Sequence, residues 1–169
     1  MGNDGKRGGA ALADPGAEAG SEGREVPNAL VDALERLIVG AVGMTALALS
    51  EAELPVDLTL PQWRVLVIVT ESDGLRVGEI AGRVGVGLPS ASRLIRRLED
   101  RGLVTTERDE SDRRATLVRA TDQGRRVRTT LVRKRRRLIA DALEATSEPL
   151  PASSVDVVVA IAKDFARFA

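Results

Sequence analysis

The stretch VGEIAGRVGVGLPSASRLIRRLEDRG, residues 77–102, decides the fold. Val77, Ile80, Ala81 and Val84 recur at helical spacing and stop at Gly85. After the tight Gly85-Val86-Gly87 turn a second apolar stripe begins, made of Ala91, Leu94, Ile95 and Leu98, and it stops at Gly102. Two helices joined by a short glycine-containing turn read as a helix-turn-helix. Beyond Gly102 the apolar period changes from 3.6 to 2 over residues 103–107 and 115–120, on either side of a charged tip. That pattern is a β-hairpin, so residues 76–120 read as a helix-turn-helix with a wing, a fold that binds duplex DNA.

The second helix, read as residues 88–101, has the amphipathicity that entry into a major groove requires. Its inner stripe is apolar, while Leu88, Pro89, Ser90, Ser92, Arg93, Arg96 and Arg97 lie outside that stripe. Base edges are normally reached from the first turn. There Ser90 and Ser92 can bond a base or a phosphate, Leu88 or Pro89 can touch a thymine methyl, and Arg93 can grip a guanine with two hydrogen bonds. Arg96, Arg97 and Arg101, farther along, are expected to hold phosphates. The hairpin tip reads Arg108-Asp109-Glu110-Ser111-Asp112-Arg113-Arg114. A guanidinium carried there can enter a narrow minor groove, with Asp112 paired to Arg114 or Arg108 to fix the tip.

Outward from this core, Thr59 followed by Gln62 forms a capping box, with Pro61 in the first turn and Leu58 placed to staple onto Trp63. The helix they start is expected to run toward Asp73-Gly74. A longer helix is expected upstream, from an Asn28 N-cap to about Ser50, with an apolar stripe wide enough for a second subunit. Thr121 caps another long helix that Pro149 and Pro151 end. A last helix presents Val155, Val158, Ile161, Ala162, Phe165 and Phe168. Residues 1–27, rich in glycine, alanine and acidic residues, read as a disordered tail. The expected architecture is mainly α with a small β-hairpin wing: a first dimerisation helix (28–54), a winged helix-turn-helix DNA-binding lobe (55–120) and C-terminal dimerisation helices (121–169).

Composition narrows the chemistry. The 169 residues include no cysteine and no histidine, so disulfides, thiolate metal sites and the commonest general base and metal ligand are all missing. An enzyme is not expected, nor a metal or other cofactor. No signal peptide is read at the N-terminus and no run of about 18 apolar residues is seen, so a soluble cytoplasmic protein without membrane association is expected. Net charge is zero, but it is segregated. Residues 1–75 hold 5 basic and 12 acidic side chains, residues 76–137 hold 18 and 8, and residues 138–169 hold 2 and 5. A basic belt between acidic flanks is the electrostatic footprint of a segment that meets a polyanion.

Three segments carry a family resemblance: residues 58–66 (LTLPQWRVL), residues 98–104 (LEDRGLV) and Asp112-Arg113-Arg114. Over about residues 28–168 the chain resembles the MarR family of bacterial transcription regulators. The resemblance implies a homodimer joined by the first helix and the last two, on a pseudo-palindromic operator in double-stranded DNA. It also implies repression relieved by a phenolic or drug-like small-molecule effector, and Asp112 and Arg114 as the wing's ion pair and minor-groove contact. For an effector pocket Trp63 and Arg64 are the candidate lining residues, although a core or staple role is the better reading of Trp63. The chain departs from many relatives at Arg76 and Gly87, where a Ser or Thr would cap each helix. Arg76 is therefore read as a phosphate contact. The peroxide-sensing branch needs a cysteine near the first helix, and this chain has none. The alternative class is a winged helix used only for protein–protein interaction, which would present an apolar wing face where this one is rich in arginine.

Overall fold

The computed structural model describes residues 26–109, 115–147, 149 and 151–166. The chain runs α1 (Asn28–Glu51), α2 (Leu60–Thr70), β1 (Leu75–Arg76), α3 (Val77–Val84), α4 (Leu88–Glu99), β2 (Val104–Arg108), β3 (Thr116–Ala120), α5 (Asp122–Glu144) and α6 (Ser153–Phe165). It is mainly helical, with a small antiparallel sheet. The expected tip residues Asp112, Arg113 and Arg114 lie outside the described residues, as do Phe168 and the tail before Val26.

The capping box forms at the start of α2: the Thr59 backbone N–H donates to Gln62 Oε1 at 3.0 Å. From there α2 runs through the middle of the core, burying Trp63, Val65, Leu66, Ile68 and Val69. It packs on α3, α4, α5 and β3. The inner stripes close around it, with Ile80 and Ala81 from α3, Ala91, Ile95 and Leu98 from α4, and Val127 and Leu131 from α5 all buried. Because β2 pairs with β3 from Val104 opposite Ala120 to Arg108 opposite Thr116, the hairpin sits where the period-2 pattern placed it.

Four local readings are corrected. The sheet has three strands in the order β1-β3-β2, because Leu75 and Arg76 pair with Val118 and Leu117. A two-residue strand has no period to detect. Helix α2 ends at Thr70, short of Asp73-Gly74. Gly74 instead adopts φ 141° ahead of β1, with Leu117 close on the side where a Cβ would stand. Helix α1 includes Asn28, and Pro27 is the residue before its first turn. Helix α4 ends at Glu99, two residues early, because the chain has to reverse through Gly102 at φ 68°.

The junction between α4, the wing and α5 is tight. Thr121 caps α5 by accepting from the Gly124 N–H at 3.0 Å, and its hydroxyl donates to the Gly102 carbonyl at 2.7 Å. The Thr121 N–H donates to the Leu103 carbonyl at 3.1 Å. Gly124 is buried against that same carbonyl. One turn of backbone thus joins the end of α4 to the base of the wing.

The outer helices have little of the chain to bury against. In α1 only Thr45 and Ala48 are buried, while Leu37 and Val39 are 62% and 63% exposed. No residue of α6 is buried. Contrary to the sequence reading, α1 is long and apolar enough to cross a membrane by length and mean hydropathy, which reaches 1.5 in its most apolar window. The reading missed this because Glu35 and Arg36 interrupt the apolar run without lowering its average enough.

Candidate nucleic-acid interface

Helix α4 presents the side chains that the sequence placed on its outer face. Leu88, Pro89, Ser92, Arg93, Arg96 and Arg97 are exposed and Ser90 is half-buried, whereas Ala91, Ile95 and Leu98 are buried and Leu94 is partly so. Pro89 suits the first turn, where its missing N–H has no partner to lose. Gly87 precedes the helix without a side-chain cap; Pro89 has no N–H and the Ser90 N–H donates to the Gly87 carbonyl at 2.9 Å, which leaves the Leu88 N–H of the first turn for an acceptor such as a phosphate oxygen. Arg93 Nη2 donates to Ser90 Oγ at 3.1 Å, which holds the guanidinium along the first turn. Arg96, Arg97 and Arg108 have no hydrogen-bond or ion-pair partner among the described residues.

Two arginines do something other than the sequence suggested. Arg101 points inward: its Nη1 donates to Oε1 of Gln62, which is 1% exposed, at 2.7 Å. It fastens the end of α4 to the cap of α2, so it is not placed as a phosphate clamp. Arg76 closes on Asp109, with Nη2 and Nε at 2.7 and 2.9 Å from Oδ2. Its own N–H donates to Glu79 Oε2 at 2.8 Å, which keeps half of a capping box where the expected Ser or Thr is missing. Asp109, just past β2 at the tip end of the hairpin, is thus the carboxylate that ties the wing to Arg76 of β1. Sequence reading gave Asp109 no such role because its partner is 33 residues away.

The rest of the wing is polar. Among its described residues Thr105, Glu107, Arg108, Thr116 and Arg119 are exposed, and Arg119 Nε pairs with Glu107 Oε1 across the strands at 2.6 Å. Glu99 accepts from both the N–H and the hydroxyl of Thr106, at 3.1 and 2.5 Å, and so ties α4 to β2. This exposed surface lacks the apolar face that a protein-docking wing would show. Of the residues considered for an effector pocket, Trp63 is a core residue at 4% exposure, and Arg64 Nη2 donates to the Arg83 carbonyl at the end of α3, 3.0 Å away.

An exposed row of arginines on a helix and a polar wing beside it can together hold phosphates and read base edges. The fold recurs in known proteins. Residues 58–116 match the model described as the MarR family. Over 91 residues the chain is 31% identical to the uncharacterised HTH-type transcriptional regulator YfiV of Bacillus subtilis, a match that spans 54% of this chain and 57% of that protein. The chain therefore covers little more than half of that relative's length. Among solved structures, that of RV1404 from Mycobacterium tuberculosis has TM-score 0.71 and 24% identity, covering 83% of this chain and 94% of that one. FabT of Streptococcus pneumoniae, solved in complex with DNA, has TM-score 0.64 and 15% identity, covering 83% and 95%. Both structures share the fold.

Proposed function

We propose that this chain, which carries a MarR-family winged helix-turn-helix over residues 58–116, is a dimeric, sequence-specific DNA-binding transcriptional regulator. The observation that carries the reading is the outer face of α4. Arg93, Arg96 and Arg97 stand exposed on a helix whose opposite face is buried, next to a wing held out by the Arg76–Asp109 pair. The first turn reads bases in the major groove, Arg96 and Arg97 hold phosphates, and the wing reaches the minor groove. FabT, with the same fold, was solved in complex with DNA, which supports DNA as the partner. Repression is the direction we assign, by occupation of a promoter, and we place the protein in the cytoplasm. We assign no enzymatic activity, in line with relatives that are named transcriptional regulators.

The second subunit is assigned to the apolar surface that one chain leaves uncovered. Residues 28–54 and 121–169 supply it: Leu30, Leu37, Ile38 and Val42 of α1, Ile139 and Leu143 of α5, and Val155, Val158 and Phe165 of α6 are all exposed. A helix apolar on nearly every side is buried somewhere, and pairing two copies about a two-fold axis covers both at once. It also sets two recognition helices roughly 34 Å apart or a multiple of that, matching a pseudo-palindromic operator. A small apolar or phenolic effector that favours a different spacing of the two lobes would release DNA by shifting populations.

Light scattering tests the seam. The wild-type protein is expected at twice the mass of one chain. Leu37→Glu puts two unpaired carboxylates into the seam and should weaken the dimer by at least about tenfold, with promoter binding falling in parallel. A monomeric wild type, or a Leu37→Glu protein that dimerises as well as wild type, would overturn this assignment.

A further inference from the structure

Between Asp122 and Asp141, α5 carries eight cationic side chains and no acidic one. Three of them are used inside the fold. Arg125 Nη1 donates to the Thr70 carbonyl at 3.2 Å, Arg128 pairs with Glu71 at 2.6 Å and Lys134 pairs with Glu51 at 2.7 Å. Arg126, Arg133, Arg136 and Arg137 are exposed and have no hydrogen-bond or ion-pair partner among the described residues. Arg126, Arg133 and Arg137 fall at i, i+7 and i+11, on one stripe that extends for roughly 16 Å at 1.5 Å per residue. At its near end lies a shallow groove of about 280 Å³ lined by Arg125, Arg126, Thr129, Thr130 and Arg133.

A face that served only for solubility would mix signs, since like charges three and four residues apart, as in Arg133 with Arg136 and Arg137, repel along a helix. The uncompensated stripe calls for an anionic partner. It lies on a different helix from the reading surface, with α2 packed against both α4 and α5.

We propose that the outer stripe of α5 is a second, sequence-independent site for the phosphate backbone of a nucleic-acid duplex, able to hold a DNA segment other than the one read by α4. Seven of the eight cations are arginine, whose planar fork bonds phosphate oxygens in pairs, whereas a lysine acts as a point charge. The stripe is extended, and duplex DNA offers a charge about every 1.7 Å along its axis, so several phosphates face it at once. A small anion would engage only the groove at one end. The stripe has no large apolar side chain between Arg126 and Arg137 to insert into a bilayer, since Thr129 and Thr130 occupy those positions. The two-fold partner would carry a second such stripe, so one dimer could tether neighbouring DNA segments.

The test uses the full-length protein, wild type and Arg126→Ser/Arg133→Ser/Arg137→Ser, with matching melting curves and dimer mass as the check on folding. Wild type saturated with an unlabelled promoter duplex should recruit a labelled random-sequence duplex. The triple variant should recruit it at least tenfold more weakly, with the salt slope reduced by about 0.9 for each phosphate that is no longer neutralised. Wild type that recruits no second duplex overturns the proposal, as does a triple variant that recruits it equally. Recruitment of phosphatidylserine vesicles in place of the duplex would also overturn it. The inference is separable from the regulatory reading. If the protein failed to distinguish promoter from random DNA while the triple variant still lost random-duplex binding, the α5 site would stand and the operator-reading function would fall.

Discussion

Replacing Gly124 with alanine is expected to destabilise the protein by about 3 kcal/mol, a fall in melting midpoint of roughly 6–12 °C for a chain of this size. Helix propensity alone argues the other way, because alanine is favoured over glycine by about 1 kcal/mol within a helix. Packing decides the sign. A Cβ on Gly124 would overlap the Leu103 carbonyl oxygen, far inside the 3.0 Å that real Cβ atoms keep, and would stand 3.1 Å from the carbonyl carbon and 3.2 Å from Leu66 Cδ1. The obstacle is backbone, which no rotamer change can clear. That carbonyl also accepts the Thr121 N–H, so moving it disturbs the turn that starts α5. Gly82→Ala provides the control, since nothing lies within 4 Å of its Cβ position, and it should be neutral or stabilising. Equal melting of Gly124→Ala and wild type would contradict the close approach of α5 to the wing base.

The second large effect is expected on DNA. Arg93→Ala removes a guanidinium held on the first turn of α4 by Ser90. A bidentate base contact contributes about 1–3 kcal/mol of discrimination, and a two-fold dimer loses it twice, so promoter affinity should fall by roughly 30-fold to 10⁴-fold. Arg97→Ala should weaken promoter and random DNA alike and reduce the salt slope by about one unit for each phosphate set free. The pair of variants separates reading from holding. If Arg93→Ala kept full preference for the promoter over random DNA, base reading would have to come from elsewhere on the protein.

Local patterns were readable in the sequence and long-range pairings were not. The Thr59–Gln62 box, the buried stripe of Ala91, Ile95 and Leu98, and the Thr121 cap all join residues within one or two helical turns, so spacing alone exposes them. The switch to period 2 likewise placed β2 and β3. By contrast, the Arg76–Asp109 and Arg101–Gln62 links span 33 and 39 residues, and no local period records a pairing made by folding. Arg101 was misplaced for a further reason. It lies past the end of α4, on the turn into Gly102, where a helical wheel no longer tells which way a side chain points. The exposed arginines of α4 were legible as a face because an amphipathic helix must satisfy two environments, and that division is written in its sequence.

Regulation by DNA binding is the centre of this account, and a salt-dependent titration tests it most directly. The protein should be titrated onto DNA from upstream of its own coding sequence at several salt concentrations. Six phosphate contacts per dimer, such as Arg96, Arg97 and Arg108 from each chain would make, imply that log affinity falls with log salt at a slope of about −5, with promoter DNA held well above random DNA throughout. No detectable binding to any promoter fragment at low salt would contradict it.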